Sequence, residues 1–394
     1  MTSYRDRFHI PLAPDGGESV YLCGHSLGLQ PKSVRAYIEQ ELKEWERLGV
    51  EGHFHARHPW VEYHKLLAAQ TARLVGAKPV EVVNMNSLTV NLHLMMVSFY
   101  RPTPRRHRIV IEENAFPSDQ YAVKSQIQFH GFDPAGSLVA VAGEDELEDL
   151  LAREGESVAL VLLGGVNYSS GRAFDLARVV RAGHAQGCLV GFDLAHSAGN
   201  LVLKLHDLDA DFAVWCTYKY LNGGPGSLGG CFVHERYARD ESLPRLTGWW
   251  GHTLETRFRM GPDFHAAPGA EGWQVSNPPV IALAALRASM DLFDEVGMER
   301  LRLRSVELTG LLESLLDGHE IVTPRDPARR GAQLSIRVRG SVRAVWERLA
   351  AAGVICDWRE PDILRVAPAP LYNTEEDVRR FVEAFLHSAP TARM

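Results

Sequence analysis

Six short apolar runs recur through the middle of the chain: "RIVIE" (108–112), "SLVAV" (137–141), "VALVLLGG" (158–165), "CLVGFDLA" (188–195), "DFAVWCT" (211–217) and "GGCFVHE" (229–235). Stretches with helical apolar spacing alternate with them, near 88–99, 117–129, 144–153 and 175–186. A strand that is apolar throughout must be covered on both faces, so these runs belong inside a sheet and not on its surface. Strands alternating with amphipathic helices build a mostly parallel sheet with helices on either side. The expected fold class is therefore α/β.

The flanks read differently. Residues 1–30 are irregular and rich in Pro and Gly, and helices are expected from Pro31 to about Leu48 and from Trp60 to about Val75. Beyond Pro279, two helices (280–296 and 298–316) lead to "AQLSIRVRG", a helix at 341–352, the strand "DILRVA" and a last helix at 374–387. This predicts a small α+β domain over 280–394, joined by an N-terminal arm over 1–59, around a large domain over 60–279. No internal repeat or low-complexity tract interrupts the pattern.

In an open α/β sheet the carboxyl ends of the strands collect ligands. Two of those ends carry chemistry. "VWCTYKYLNGGPGSLGG" puts Lys219 just past an apolar run and before glycines that permit tight turns and close backbone approach. "VGFDLAHSAGN" puts Asp193 at the end of another run, with His196 three residues on. Alone, the lysine reads as a solvated surface residue and the aspartate as a turn former or cap. Together they match the needs of pyridoxal 5'-phosphate: a lysine for a Schiff base and an acid opposite the pyridine nitrogen.

That cofactor also needs a phosphate cup. In "NMNSLTVNLHLMMVSFY" a helix starting near Ser87 leaves the amides of Leu88 and Thr89 free to face an anion. In "EENAFPSDQYAV", Phe116 is placed to stack on the ring, and Asp119 to polarise its hydroxyl or the imine region.

In chain order, "GHSLGLQP", "VNMNSLTVNLH", "NAFPSDQYA", "GFDLAHSAGN", "WCTYKYLNGGPG", "GWWGH", "VSNPP" and "LRVAPAPLYN" resemble the kynureninases over about residues 20–385. The resemblance implies the fold-type I architecture of the aspartate aminotransferases, with a seven-stranded sheet. It implies pyridoxal phosphate on Lys219, Asp193 at the ring nitrogen and His196 beside the ring. Leu88, Thr89 and Tyr218 hold the phosphate. Phe116, Pro117, Ser118 and Asp119 complete the shell on one side. Trp249 and Asn277 arrive from the neighbouring subunit of a homodimer. Ser26, His53 and Asn277 line the pocket for the aromatic half of the substrate, and Arg365 grips its α-carboxylate as a two-pronged clamp. The implied reaction is hydrolysis of the Cβ–Cγ bond of L-kynurenine to anthranilate and L-alanine, with 3-hydroxy-L-kynurenine as an alternative substrate. It serves tryptophan degradation or NAD biosynthesis. Lys219, Asp193 and Tyr218 are the catalytic candidates, and Tyr218 reads equally as a proton relay or as a phosphate anchor.

Two positions depart from the family pattern. His25 stands where "GNSLG" has Asn, and Gly164 stands where a strand usually offers a hydroxyl. Cysteine desulfurases and selenocysteine lyases are rivals on the same fold. They carry a histidine before the lysine, where this chain has Tyr218, and a nucleophilic cysteine on a late loop. The one late cysteine here, Cys356, sits in an apolar run. A non-catalytic binding module on this fold is the other rival, and the intact Lys219, Asp193 and Arg365 speak against it.

Charge and composition exclude other classes. A net charge of −7 favours neither nucleic acid nor an anionic membrane as partner. "HFHARHPW" with His64 lacks a cysteine or carboxylate to complete a zinc set, so no metal is expected. "GGPGSLGG" is not a P-loop. The five cysteines form no C-x-x-C pair. With no secretory pattern in the first twenty residues, and no apolar run near the ~18 residues of a membrane span, a cytoplasmic protein is expected.

Overall fold

The computed structural model describes residues 4–389. Seven strands form the central sheet: β1 (Val82–Met85), β2 (Arg108–Glu112), β3 (Leu138–Val141), β4 (Val158–Gly164), β5 (Leu189–Asp193), β6 (Phe212–Cys216) and β7 (Gly229–Val233), in the order β1-β7-β6-β5-β4-β2-β3. Only β7 runs against its neighbours. The expected α/β fold, with its mostly parallel seven-stranded sheet, is the one found. All five residues of β6 are buried, as an all-apolar "FAVWC" requires. Because β1 and β6 point the same way, the carboxyl ends of β1, β2, β4, β5 and β6 share one edge of the sheet.

Among the described residues, ten α-helices have eight or more residues: α1 (Val34–Leu48), α2 (Ala68–Val75), α3 (Leu88–Phe99), α4 (Pro117–Phe129), α5 (Glu144–Glu154), α6 (Leu176–Ala185), α7 (Val280–Val296), α8 (Met298–Leu315), α9 (Val342–Ala351) and α10 (Glu375–Ser388). Local chemistry explains several starts. Asp175 accepts the amide of Arg178 to cap α6, and Thr374 with Asp377 forms a reciprocal capping box for α10. Among the described residues, no helix is long and apolar enough to cross a membrane.

Near the C-terminus three antiparallel strands, β8 (Leu334–Arg337), β9 (Asp357–Arg359) and β10 (Ile363–Val366), lie in the order β9-β10-β8. Val20 and Leu22 belong to the same apolar cluster as Leu308, Ile336, Leu364 and Phe381. Val20–Tyr21 also pairs in parallel with Val354–Ile355. The N-terminal segment is thus built into the C-terminal layer.

Two expectations need correction. The strand β1 was not foreseen: "VVNM" is only four residues long, yet every residue is buried. The single helix expected over 60–75 is broken. Trp60–Leu67 is a tight 3-10 turn with Glu62 outside helical geometry, and only Ala68–Val75 is α-helical. Side-chain bonding accompanies the break: Trp60 Nε1–H and the Tyr63 hydroxyl both donate to the buried Glu41 of α1.

Candidate active site

Lys219 lies three residues past the end of β6, in the turn the glycine-rich segment makes. The N-terminal arm crosses directly over this turn, where Gly28 N–H donates to Tyr218 O at 2.8 Å. A Cβ on Gly28 would overlap Lys219 O and Asn222 Oδ1, so only glycine allows the crossing. The second glycine of "GHSLG" therefore serves the backbone of the lysine.

Lys219, Asp193, His196, Leu88, Thr89, Phe116, Ser118, Asp119 and Tyr218 line one cavity of about 170 Å³. Nine residues singled out in the sequence meet there, from four separate segments. The sheet edge explains the convergence. β5 delivers Asp193 and His196, β6 delivers Tyr218 and Lys219, and α3 and α4 begin where β1 and β2 have just ended. Glu112, Gly164, Val166, Tyr168 and Ala195 complete the lining.

The Lys219 Nζ stands 2.9 Å from His196 Nε2 and 5.9 Å from the centre of the Phe116 ring. Burial first, and then the Lys219 charge, hold the His196 pKa well below the usual histidine range. The imidazole is neutral and its Nε2 accepts from the ammonium. Its Nδ1 is buried with no partner among the described residues.

Asp119, expected near the ring hydroxyl or the imine, has its carboxyl close to that of Asp193. Burial first, and for Asp119 also the Asp193 charge, raise both above the usual carboxylate range. Neighbouring enclosed carboxyls disfavour a second negative charge. Asp193 Oδ1 also accepts Ala195 N–H at 2.8 Å, while Asp119 Oδ1 is buried and unpartnered. Such a pair suits a cationic ring nitrogen, which would supply a donor and let both ionise.

The start of α3 suits an anion. Ser87 is extended at the N-cap position, yet its side chain caps nothing. The first amides of α3 therefore have no side-chain partner there. Thr89 and Ser118 join their hydroxyls at 2.8 Å across the gap between α3 and α4. An acid pair, a lysine, an aromatic face and an anion-binding helix start fit pyridoxal phosphate. Pro117 opens α4 but does not line the cavity.

The remaining predicted residues are not in the cavity. Ser26 is half-buried in the turn before Gly28. His53 packs edge-on against Trp60 at 5.4 Å. Asn277 is exposed, and Trp249 is 42% exposed with its ring 5.5 Å from that of Phe258. Arg365 is buried, and its fork is engaged. Nε donates to Asp357 Oδ1 at 2.7 Å, a terminal nitrogen bonds Asp357 Oδ2, and the other donates to Tyr168 O at 2.6 Å. Tyr168 touches both Phe116 and Arg365 and so stands between the cavity and the guanidinium.

His25 explains part of this. Its Nε2 lies 3.1 Å from Asp357 Oδ1, in a fully enclosed position. Burial would raise Asp357, but the His25 hydrogen bond and the Arg365 guanidinium outweigh it and hold the carboxylate well below its usual range. Burial lowers the His25 pKa to about 4. A histidine depressed in the fold supports stability fully above its unfolded pKa of about 6.5 and loses that support as pH falls toward 4. At roughly 1.4 kcal/mol per unit, this amounts to on the order of 3 kcal/mol. Denaturant unfolding at pH 7 and pH 4.5 should show that slope, and His25→Asn should flatten it. An unchanged slope in the variant would assign the acid sensitivity elsewhere.

Sequence reasoning missed Glu112 and Tyr168. Glu112 ends "RIVIE" just as Asp193 ends its own apolar run, and that shared position was a usable signal. Tyr168 follows β4 in a turn with no comparable mark.

The comparisons with known proteins agree with this geometry. Residues 301–385 match the family model of the kynureninase C-terminal domain. The kynureninase of Koribacter versatilis (strain Ellin345) is 66% identical over 399 residues, covering 98% of this chain and 94% of that protein. The kynureninase of Myxococcus xanthus (strain DK1622) is 60% identical over 97% of this chain and 93% of its own length. Among solved structures, the apo cysteine desulfurase of Thermococcus onnurineus NA1 superposes with a TM-score of 0.79 at 17% identity, covering 96% of this chain and 98% of that one. The cystine C-S lyase C-DES, in complex with cysteine persulfide, superposes with a TM-score of 0.80 at 18% identity, over 94% of this chain and 98% of that one. At such identities these two share the fold alone.

Proposed function

The chain belongs to the kynureninase family, and from that membership and the chemistry of the Lys219 cavity we infer that it hydrolyses L-kynurenine to anthranilate and L-alanine with pyridoxal 5'-phosphate. The observation that carries the reading is a lysine at a strand end sharing one cavity with two buried aspartates, Asp193 and Asp119, whose charge burial disfavours. When bound, the cofactor supplies an electron sink for charge that develops at the substrate Cα.

The residues then divide the work. Lys219 anchors the cofactor, and as a free amine it is the base for the Cα proton. His196, neutral and within hydrogen-bond reach, steadies Nζ. Asp193 and Asp119 would hold negative charge at the ring nitrogen. Phe116 would cover the ring, and the α3 amides with Thr89, Ser118 and Tyr218 would hold the phosphate. Burial pushes the Tyr218 hydroxyl up, so it remains a proton donor. Arg365 has five N–H donors, of which three are engaged, leaving two for a substrate carboxylate once the Tyr168 ring moves aside. On the same reading, residues 60–279 carry the cofactor, and residues 280–394 with the 1–59 arm carry the clamp.

The desulfurase alternative is poorly supported. Cys356 is buried and its thiol is pushed far up by that burial, so it makes no thiolate nucleophile. All five cysteines are free and buried, which supports a reducing, cytoplasmic setting.

A homodimer follows from the same reading. Trp249, Phe258, Phe54 and Met260 are all large, apolar and at least 42% exposed, and the Phe54 and Phe258 rings are 5.5 Å apart. A separate apolar groove of about 1130 Å³ is lined by Ile10, Leu27, Val34, Ile38, Val280 and Ile281. Contiguous apolar surface of this kind marks an interface, and a second copy brings Trp249 and Asn277 to its neighbour's cavity. Mixing Lys219→Ala protein with Trp249→Ala protein should restore activity, because one cavity of the mixed dimer keeps both residues. No restoration, with mixed dimers demonstrated, would return Trp249 to its own chain's site. Assay of the purified protein on L-kynurenine and on 3-hydroxy-L-kynurenine, following loss of the aryl ketone absorbance, tests the activity. Turnover of neither would refute it.

A further inference from the structure

Three carboxyls line the Lys219 cavity, and the third is Glu112 at the end of β2. It is buried, and among the described residues it has no ion-pair partner within 4.0 Å. Its Oε2 accepts Gly164 N–H at 2.9 Å and its Oε1 accepts the Asn167 side-chain amide at 2.9 Å. Each oxygen keeps a second lone pair, so a proton has a place on either one.

Gly164 makes this position possible. A Cβ on Gly164 would lie 2.9 Å from Glu112 Oε2, closer than side-chain carbons approach, and a tight 3.2 Å from Oε1, so the carboxyl would have to shift. The carboxyl fills the room that any side chain at 164 would take. Gly164 is also the register partner of Asp193 across β4 and β5. The Glu112 carboxyl is therefore held at the sheet edge next to the acid pair.

We propose that Glu112 is a working carboxyl of the cofactor site: it occupies the space left by the absent side chain of Gly164 and offers the bound cofactor a protonatable oxygen beside Asp193. This rests on the reading of the cavity as the pyridoxal phosphate site. The charged groups around it are Asp193 from β5, Asp119 from α4, Lys219 after β6 and Arg172 from the segment after β4. Burial comes first in raising Glu112, to about 7, and Asp193 adds to it, while the two N–H donors and Arg172 oppose. Below neutrality Glu112 is a hydrogen-bond donor with no charge. Above it, the cofactor gains a third negative neighbour.

The test uses the holoenzyme's visible absorption, which responds to charge around the chromophore, and the dissociation constant of pyridoxal phosphate. Glu112→Gln keeps the size and removes the titration. The wild-type band should titrate near neutral pH, and in Glu112→Gln that step should vanish or move by about one pH unit or more. Gly164→Ser should weaken cofactor binding by displacing the carboxyl. The same serine placed in Glu112→Ala should strengthen binding relative to Glu112→Ala alone, because the room is then free. A Glu112→Gln titration that superimposes on the wild type, or single-variant effects that simply add in the double variant, would overturn the proposal. Borohydride fixation and peptide mapping separate the two failures. Pyridoxyl absent from Lys219 in the wild type defeats the site reading itself. Pyridoxyl on Lys219 in both proteins, with unchanged spectra, defeats only the role of Glu112.

Discussion

Lys219→Ala is expected to lower turnover of L-kynurenine by about 10⁴-fold or more, the upper range for loss of a general base and beyond it where the same group is also a covalent anchor. Among the described residues it is the one lysine lining the cavity, and its Nζ is within hydrogen-bond reach of His196, whose Nε2 accepts from it. No neighbour can replace it: burial makes His196 a weak base, and neither an imidazole nor the carboxyls of Asp193 and Asp119 can form a Schiff base. Borohydride should fix pyridoxyl at position 219 in the wild type and nowhere in the variant. The variant should still take up the cofactor without a covalent bond, since the α3 amides and the acid pair are untouched. A small primary amine should restore part of the rate. A variant that kept a tenth of the wild-type rate would end the assignment.

Asp193→Asn should produce the second largest loss. The substitution keeps size and shape but removes the charge that favours a protonated ring nitrogen. Loss of one preorganised electrostatic partner lowers turnover by about 10²- to 10³-fold. Cofactor retention should weaken as well. Asp119 complicates the outcome in a readable way. Its raised pKa owes first to burial and then to the Asp193 charge, so with that charge gone it ionises more easily and takes over part of the role. Asp119→Asn alone should therefore cost less, and the double variant more than either. Near-normal activity in Asp193→Asn would mean that Asp119 is the principal partner of the ring.

Much of the site was legible because strand ends carry positional information. An apolar run such as "FAVWC" can only be an interior strand, and whatever follows it must emerge at the carboxyl edge. That argument found Lys219 and Asp193 without any knowledge of their neighbours. Leu88 and Thr89 were reached differently, from the helix start at Ser87, since β1 itself was too short to be recognised. The same logic could have found Glu112 at the end of "RIVIE". Trp249, Asn277, His53 and Ser26 had no local signal at all. Their expected roles came from resemblance, and none of them lines the cavity of its own chain.

By itself the sequence determined the sheet, its covered faces and the chemistry collected along one edge, because period and apolarity are local properties of a few consecutive residues. Only the tertiary structure decided how those groups face one another. Asp119 meets Asp193, Glu112 fills the space over Gly164, and Asp357 engages Arg365 while His25 supports it. Except for Asp357 and Arg365, which lie eight residues apart on neighbouring strands, these partners are separated by at least 52 residues of chain. Their distances are set by how strands and helices pack, and packing is a property of the whole core that no single stretch of sequence contains.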